Sequence, residues 1–457
     1  MYQWYQKASN CYVFLTDLPA QRPLADVLPH CRWFTRGWTL QELLAPPNVE
    51  FFNQDWGSIG SKRSLRYALS DITGISTEHL FEEPLPFTSV ATKMSWAAGR
   101  QTKRIEDKAY SMLGIFDVNM PLIYGEGMKA FRRLQEEIIK RNNDLTILAW
   151  DAIPGPEGQL TSPLAPSPAA FAKSSSITKF ADDFAEFTVT NKGLVISGDI
   201  PLRTASIPAF GRMESLYLLC LGHGESHPGG IVLRKIGPKL FCRCKDIPLA
   251  GFCYKVHETH MYDVSETYIL IDTAPAMSAA LAYRTRGIHV PFDSSFKLRY
   301  AYPETLWDET DSMFLRPKRY NWVEFPMVLV MIFKVALEQR TVVLAVLCHH
   351  LNTGPVLKIF TQDQYPQEFD IIIQARYRED GIHVQELDLQ ARSIRAMTNT
   401  TRVEAGGQYH QISVSLRPDF LVETFAGMAS ASTLAFSIDG QETRRESKPE
   451  DPRVRRC

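Results

Sequence analysis

The residues best equipped for chemistry stand in the run Arg32-Trp-Phe-Thr-Arg-Gly-Trp-Thr-Leu-Gln-Glu-Leu-Leu-Ala-Pro46. Trp38 and Glu42 are four apart, so on a helix they share a face one turn apart. A carboxylate beside an indole edge could equip a ribose-binding or glycosidic site. The structural alternative is that Trp38 packs against a sheet while Glu42 lies on the solvated edge of its helix. Periodicity alone favours that alternative. A second candidate is Gly57-Ser-Ile-Gly-Ser-Lys62. Gly57, Gly60, Ser61 and Lys62 ahead of a helix resemble an anion-binding loop, in which backbone N–H groups and an ammonium face a phosphate. The run lacks the G-x4-G-K-[ST] spacing of an NTPase loop, and a plain glycine turn with a serine cap is the favoured reading.

Cys242, Cys244, Cys253, His257 and His260 crowd together and invite a zinc reading. The Cys-x-Cys gap is too short for the usual knuckle, and His257 and His260 are not four apart as on a zinc-protease helix. No metal site is therefore expected, and Cys242 and Cys244 read as small hydrophobes on one face of a strand. Gly125-Glu-Gly127 reads as a turn opening a helix, and His349-His350 as a strand end. No Ser–His–Asp grouping follows from spacing.

These residues sit in a chain of 457, with 50 basic against 51 acidic side chains, 45% apolar residues and 22% charged. The composition is that of a folded protein of about three domains. A net charge of −1 leaves no overall basic surface for nucleic acid, although a local basic patch is compatible with it. The first residues lack the charged and apolar pattern of a secretory signal. The longest apolar run, Met327 to Phe333, is too short to span a bilayer. Eight scattered cysteines fit reduced thiols, and hence a cytoplasmic location.

The elements that must position the candidates follow from pattern. Residues 1–10 read as the last turns of a helix, Cys11 to Leu15 as a strand, Arg36 to Leu44 as a helix ended by Pro46 and Pro47. Val49 to Phe52 is the next strand and Ser61 to Ile72 the next helix, which predicts a parallel α/β sheet. From Ser89 to Arg141 the pattern is helical. Ala109, Met112, Leu113 and Phe116 share one face, and a further helix starts near Glu126. A proline-rich connector follows. Short alternating strands beyond Lys179 predict an antiparallel, sandwich-like domain. The expected units are residues 1–60 (α/β), 61–150 (helical), 151–178 (linker), 179–440 (β-rich) and 441–457, a charged disordered tail.

The passage Cys11 to Trp56, with its phrase RGWTLQELL, closely resembles the second half of the fungal heterokaryon-incompatibility (HET) domain. Met94-Ser-Trp-Ala97, Arg104 to Tyr110 and Leu113 to Gly127 resemble the helical extension that commonly follows it. The resemblance covers roughly the first 150 residues. It implies a TIR-like, flavodoxin-like fold, in which Trp38 precedes Glu42 by four as in the TIR pattern. In NAD-cleaving TIR domains that glutamate holds the ribose beside the scissile bond. One carboxylate suffices there because nicotinamide is already a cationic leaving group. NAD is thus a possible substrate, with Glu42 catalytic and Trp38 a packing or ligand contact. The family's opening strands, around Tyr-x-Trp-Gly and WID-x-x-C phrases, are not found in this sequence. That implies a half-domain lacking much of a pocket, with an unpaired strand edge. The resemblance implies a role in vegetative incompatibility or cell death, through signalling or assembly, with other incompatibility proteins or further copies as partners. The alternatives are an NAD glycohydrolase completed by the missing strands, and a non-functional gene fragment.

Overall fold

The structure is a computed structural model. It describes residues 2–81, 85–152, 159–179, 186–198, 202–209, 212–223, 228–245, 266–291, 295–316, 328–337, 340–351, 354–367, 369–370, 398–405 and 407–442. The charged tail beyond residue 442, and Cys253, His257 and His260, lie outside the described residues.

The amino-terminal part contains α1 (Tyr2–Lys7), β1 (Cys11–Phe14), α2 (Leu24–Val27), α3 (Thr39–Leu44), β2 (Val49–Phe52) and β3 (Ser58–Ser61). Helices α4 (Arg66–Thr73), α5 (Thr77–Phe81), α6 (Val90–Ala98), α7 (Asp107–Tyr110) and α8 (Lys129–Ile139) follow. Strands β1 and β2 are parallel, with Cys11 opposite Val49 and Phe14 opposite Phe52. Val13, Val49 and Phe51 are buried, where they join the aliphatic faces of α3, α6 and α8 in one core. On the other face Phe14 stacks on Trp56 at 4.3 Å, beside Phe52, and Tyr12 and Trp56 are exposed. Strand β1 is an edge of this sheet, whose order is β1-β2-β3.

Three predicted elements differ. The helix expected from Arg36 begins at Thr39, because Arg36 is extended and Gly37 N–H donates to Gln101 O at 2.9 Å. The helix expected from Ser61 begins at Arg66, since Ser58 to Ser61 pairs with β2 and the Ser64 hydroxyl caps the turn at Ser61 N. The single helix expected through Phe116 stops at Tyr110 and continues as turns.

The next sheet comprises β4 (Leu160–Thr161), β5 (Glu186–Thr190), β6 (Gly193–Ser197), β7 (Leu202–Ala209), β8 (Arg212–His223), β9 (Pro228–Gly237), β10 (Leu240–Cys244) and β11 (Glu266–Ile269). Its order is β5-β6-β11-β10-β9-β8-β7, with β4 on β10, and every pairing is antiparallel except β10 with β11. Phe187, Leu219, Leu233, Phe241 and Ile269 project into the same core that holds Phe51 and Phe131. The proline-rich connector contributes to it too, through Leu164 and Phe171. Its Pro163 carbonyl accepts from Trp150 Nε1 at 2.6 Å, and Gln135 grips Ala165 N–H and C=O at 2.8 and 2.9 Å. Helix α9 (Ala276–Arg284) covers the opposite face at Ile236, Leu240 and Cys242.

The remainder consists of β12 (Ile288–His289), β13 (Phe296–Tyr302), β14 (Trp307–Asp308), β15 (Met313–Phe314), β16 (Val328–Ala336), β17 (Thr341–Leu351), β18 (Gly354–Thr361), β19 (Thr398–Ala405), β20 (Gln408–Thr424), β21 (Gly427–Ile438) and β22 (Gln441–Glu442). One sheet runs β14-β15-β12-β21-β20-β19 with β22 on β21, and a second runs β13-β16-β17-β18. Their inward faces meet: Met331, Phe333 and Val346 pack with Ile412, Val414 and Phe436. This β-rich carboxyl-terminal part agrees with the alternation in the sequence. A buried ionic joint ties it to the preceding sheet. The Arg284 guanidinium contacts the carboxylates of Asp308 and Asp311, and its Nη2 donates to Lys235 O at 3.0 Å. Lys235 Nζ in turn donates to Glu304 O at 2.9 Å and Trp307 O at 2.6 Å.

Candidate functional site

Glu42 lies in the first turn of α3 and is half-buried. Both carboxylate oxygens are engaged. Oε1 accepts from the Tyr5 hydroxyl of α1 at 3.2 Å, and Oε2 from Trp33 Nε1 at 3.2 Å. Trp33 comes from the short 3-10 turn Arg32–Thr35, where its ring meets Phe34 and Phe51 edge-on at 5.1 and 5.6 Å. The indole at the carboxylate is therefore Trp33, whereas Trp38 stands at the head of α3 and packs on the core.

The surroundings are partly charged. Arg100, at the end of α6, is buried. Its Nη1 donates to Arg36 O at 2.9 Å and to the Thr39 hydroxyl at 3.0 Å, and its Nε to Trp96 O at 3.1 Å. Burial pulls this guanidinium down to about 10, and the Glu42 charge opposes the shift. Burial first, then Glu42, raises both the Tyr5 hydroxyl and the Cys11 thiol. Tyr5 precedes β1 and Cys11 is its first residue, so the carboxylate sits toward the amino ends of the parallel pair. Open parallel sheets bind their ligands at the carboxyl ends. At that end stand Phe14, Phe52 and Trp56 instead.

The glycine-rich stretch is placed apart from Glu42. Ser58 to Ser61 forms β3, and Gly60 adopts φ +139°, where a Cβ would meet Ser64 Oγ at 2.7 Å. Lys62 turns inward. Its ammonium donates to Pro46 O at 3.4 Å and lies 5.5 Å from the Phe81 ring centroid, and burial lowers it to about 8. An ammonium used in this way faces the interior. Cys242 and Cys244 are buried in β10, and burial pushes the Cys242 thiol up to about 12, its S–H directed at Thr161 O. Among the described residues no cluster of His, Cys, Asp or Glu could hold a metal. Gly125 and Gly127 do open the approach to α8, and their N–H groups are taken by Glu106 Oε1 at 2.8 and 3.0 Å.

Tyr5, Trp33 and Arg100 were not legible as parts of this cluster. They come from a preceding helix, a 3-10 turn and a helix end about 60 residues away, none of which shares a helical period with Glu42. The one usable signal was the aromatic density around the carboxylate in the sequence.

A family model described as a domain of unknown function (DUF8212) matches residues 129–209. That span runs from the first residue of α8 through the connector to the last residue of β7. Vegetative incompatibility protein HET-E-1 of Podospora anserina is 49% identical over 156 residues, 32% of this chain and 12% of that protein. Over that stretch the chain is related to a vegetative incompatibility protein. It spans about one-eighth of the relative's length. No solved structure matches. Among the described residues no helix is long and apolar enough to cross a membrane.

Proposed function

We propose that this protein serves fungal vegetative incompatibility, in signalling or assembly on the path to cell death, and not in substrate turnover. The amino-terminal α/β part is read as the latter half of a TIR-like HET domain, followed by its helical extension. The kinship with a vegetative incompatibility protein supports the setting. The observation that carries the non-catalytic reading is the engagement of Glu42. Both of its oxygens are occupied by neutral donors of the fold, and it stands toward the amino ends of β1 and β2. A carboxylate so held works as a staple joining α1, the Arg32–Thr35 turn and α3.

The competing reading makes Glu42 the ribose-holding carboxylate of an NAD glycohydrolase, and the nearby Arg100 charge lends it some support. Incubation of the protein with NAD, followed by chromatography of nicotinamide, decides between them. Release at the level of a protein-free blank, unchanged by Glu42→Ala, is expected. Release by the wild type that disappears in Glu42→Ala would establish the enzyme. The signalling role itself is tested by inducing expression in fungal cells. Loss of viability equal for wild type and Glu42→Ala is expected, and full viability with both would remove the reading.

A further inference from the structure

The loop that follows Met120 presents three consecutive large apolar residues to solvent. Leu122, Ile123 and Tyr124 are 52%, 50% and 46% exposed, and Ile105 and Met128 beside them are exposed as well. Contiguous apolar surface of this kind marks interaction sites more often than it marks idle surface.

The loop is also locked from beneath. The Tyr110 hydroxyl accepts from Ile123 N–H at 2.8 Å and directs its proton at Ile123 O (2.8 Å) and Glu126 Oε1 (3.0 Å). Arg133 Nη2 donates to Pro121 O at 2.9 Å, and the Glu106 carboxylate holds the amides of Gly125 and Gly127. Tyr124 donates to Asp107 Oδ1 at 3.1 Å, and the Arg104 guanidinium lies 4.3 Å from its ring centroid. A surface fixed in advance loses little conformational freedom on binding.

The rim supplies the chemistry of the partner. Arg104 lies on the Tyr124 ring, Lys103, Lys108 and Lys129 stand next to Arg104, Asp107 and Met128 in the chain, and among the described residues none of the four has an ion pair. Of the neighbouring acids, Glu126 is paired with Arg133 at 2.5 Å. Glu106, held by the two glycine amides and in the field of Arg104, and Asp107, held by Tyr124, keep their charges, so the four cations outnumber the two acids left without an ion pair among the described residues. A chain with a net charge of −1 thus carries a local excess of positive charge beside an apolar centre. Aromatic, Met and Arg residues with that arrangement are the usual content of protein interfaces. The half-exposed side chains present a flank over a bonded backbone, which suits a shaped partner better than insertion into a bilayer.

We propose that Leu122, Ile123 and Tyr124, with Ile105 and Met128, form a docking surface for an acidic segment of another protein that carries apolar residues among its carboxylates. The test is selection of random dodecapeptides displayed on phage against the full chain, then fluorescence anisotropy of the synthesised consensus peptide. Enrichment of Asp or Glu flanking Leu, Ile or Phe is expected. Ile123→Asp and Arg104→Glu should each weaken the consensus peptide about tenfold or more, and binding should fall as salt rises. Unchanged thermal unfolding of both variants establishes that the fold is intact. The proposal is overturned if no such consensus emerges, or if both variants bind it as the wild type does. It is equally overturned by Ile123-dependent sedimentation with phosphatidylserine vesicles, which would make the surface a membrane contact. Concentration-dependent dimerisation abolished by Ile123→Asp would assign it to a second copy.

Discussion

Two carboxylates anchor this molecule in different ways. Glu42 is half-buried and held by two neutral donors, a phenol and an indole, while the Arg100 guanidinium, which feels its charge, bonds to Arg36 O and Thr39. Asp308 is fully buried, in contact with Arg284, and shares its surroundings with Asp311 and Lys235. A charge withdrawn entirely from water must be compensated in place, whereas a carboxylate open to solvent on one side loses little when a partner goes. Prominence in the sequence and weight in the fold therefore part company in these two acids. The one in the motif that draws attention should matter modestly to the fold. The inconspicuous one should matter greatly.

The largest effect should come from Arg284→Met, which leaves Asp308 and Asp311 without their guanidinium. The expected loss is about 3–5 kcal/mol in urea unfolding, and adding Asp308→Asn should recover part of it. A loss under about 1 kcal/mol would erase the contrast with Glu42.

Next comes Lys62→Met, a buried charge in the amino-terminal part compensated by one carbonyl and one ring. Its folded-state value of about 8 lies below the roughly 10.4 of an unfolded lysine. Between these values the unfolded chain binds more protons, so wild-type stability should rise as pH increases from about 8 to about 10.4. Below about 8 the cost is fully present. The methionine variant should be more stable at pH 7 by about 2–3 kcal/mol and lack that slope. Parallel melting curves for the two proteins across this range would show that the ammonium is well solvated after all.

A smaller loss, about 2 kcal/mol, is expected for Gly114→Ala. A Cβ there would come within 2.1 Å of Tyr2 Cβ and 3.1 Å of Gln41 Oε1. Helix α1 would be pushed off α3, and the Tyr5 donor to Glu42 would be lost with it. Limited proteolysis near residues 2–7 should report the loosening. Glu42→Ala should cost least, about 1–2 kcal/mol. A cost as large as that of Arg284→Met would place Glu42 among the fully buried charges.

The strands β1 and β2 were legible because β-branched and aromatic runs have few other uses, and their parallel pairing followed from the intervening helix. Strand β3 was not, since Gly57-Ser-Ile-Gly-Ser61 has the composition of a turn, and Ser58 to Ser61 becomes a strand only against Glu50, Phe51 and Phe52. The Glu42 helix was foreseen at its carboxyl end, where Pro46 and Pro47 stop it. Its start depends on a tertiary contact of Gly37 with Gln101 that no local period encodes. The site was visible as a carboxylate among aromatics, but the indole that meets it is nine residues away in sequence and reaches it through a 3-10 turn. The ionic joint around Arg284 was not legible at all, because its members are scattered from Lys235 to Asp311 and each is unremarkable in its own segment.

The proline-rich connector reads in the sequence as a place to divide the chain, yet Leu164 and Phe171 are buried in a core shared by α8 and the β5–β11 sheet. Recombination between related genes with a crossover near residue 150 would pair a helical layer from one parent with a sheet from another. Such a chimera would join two half-interiors never selected to fit each other.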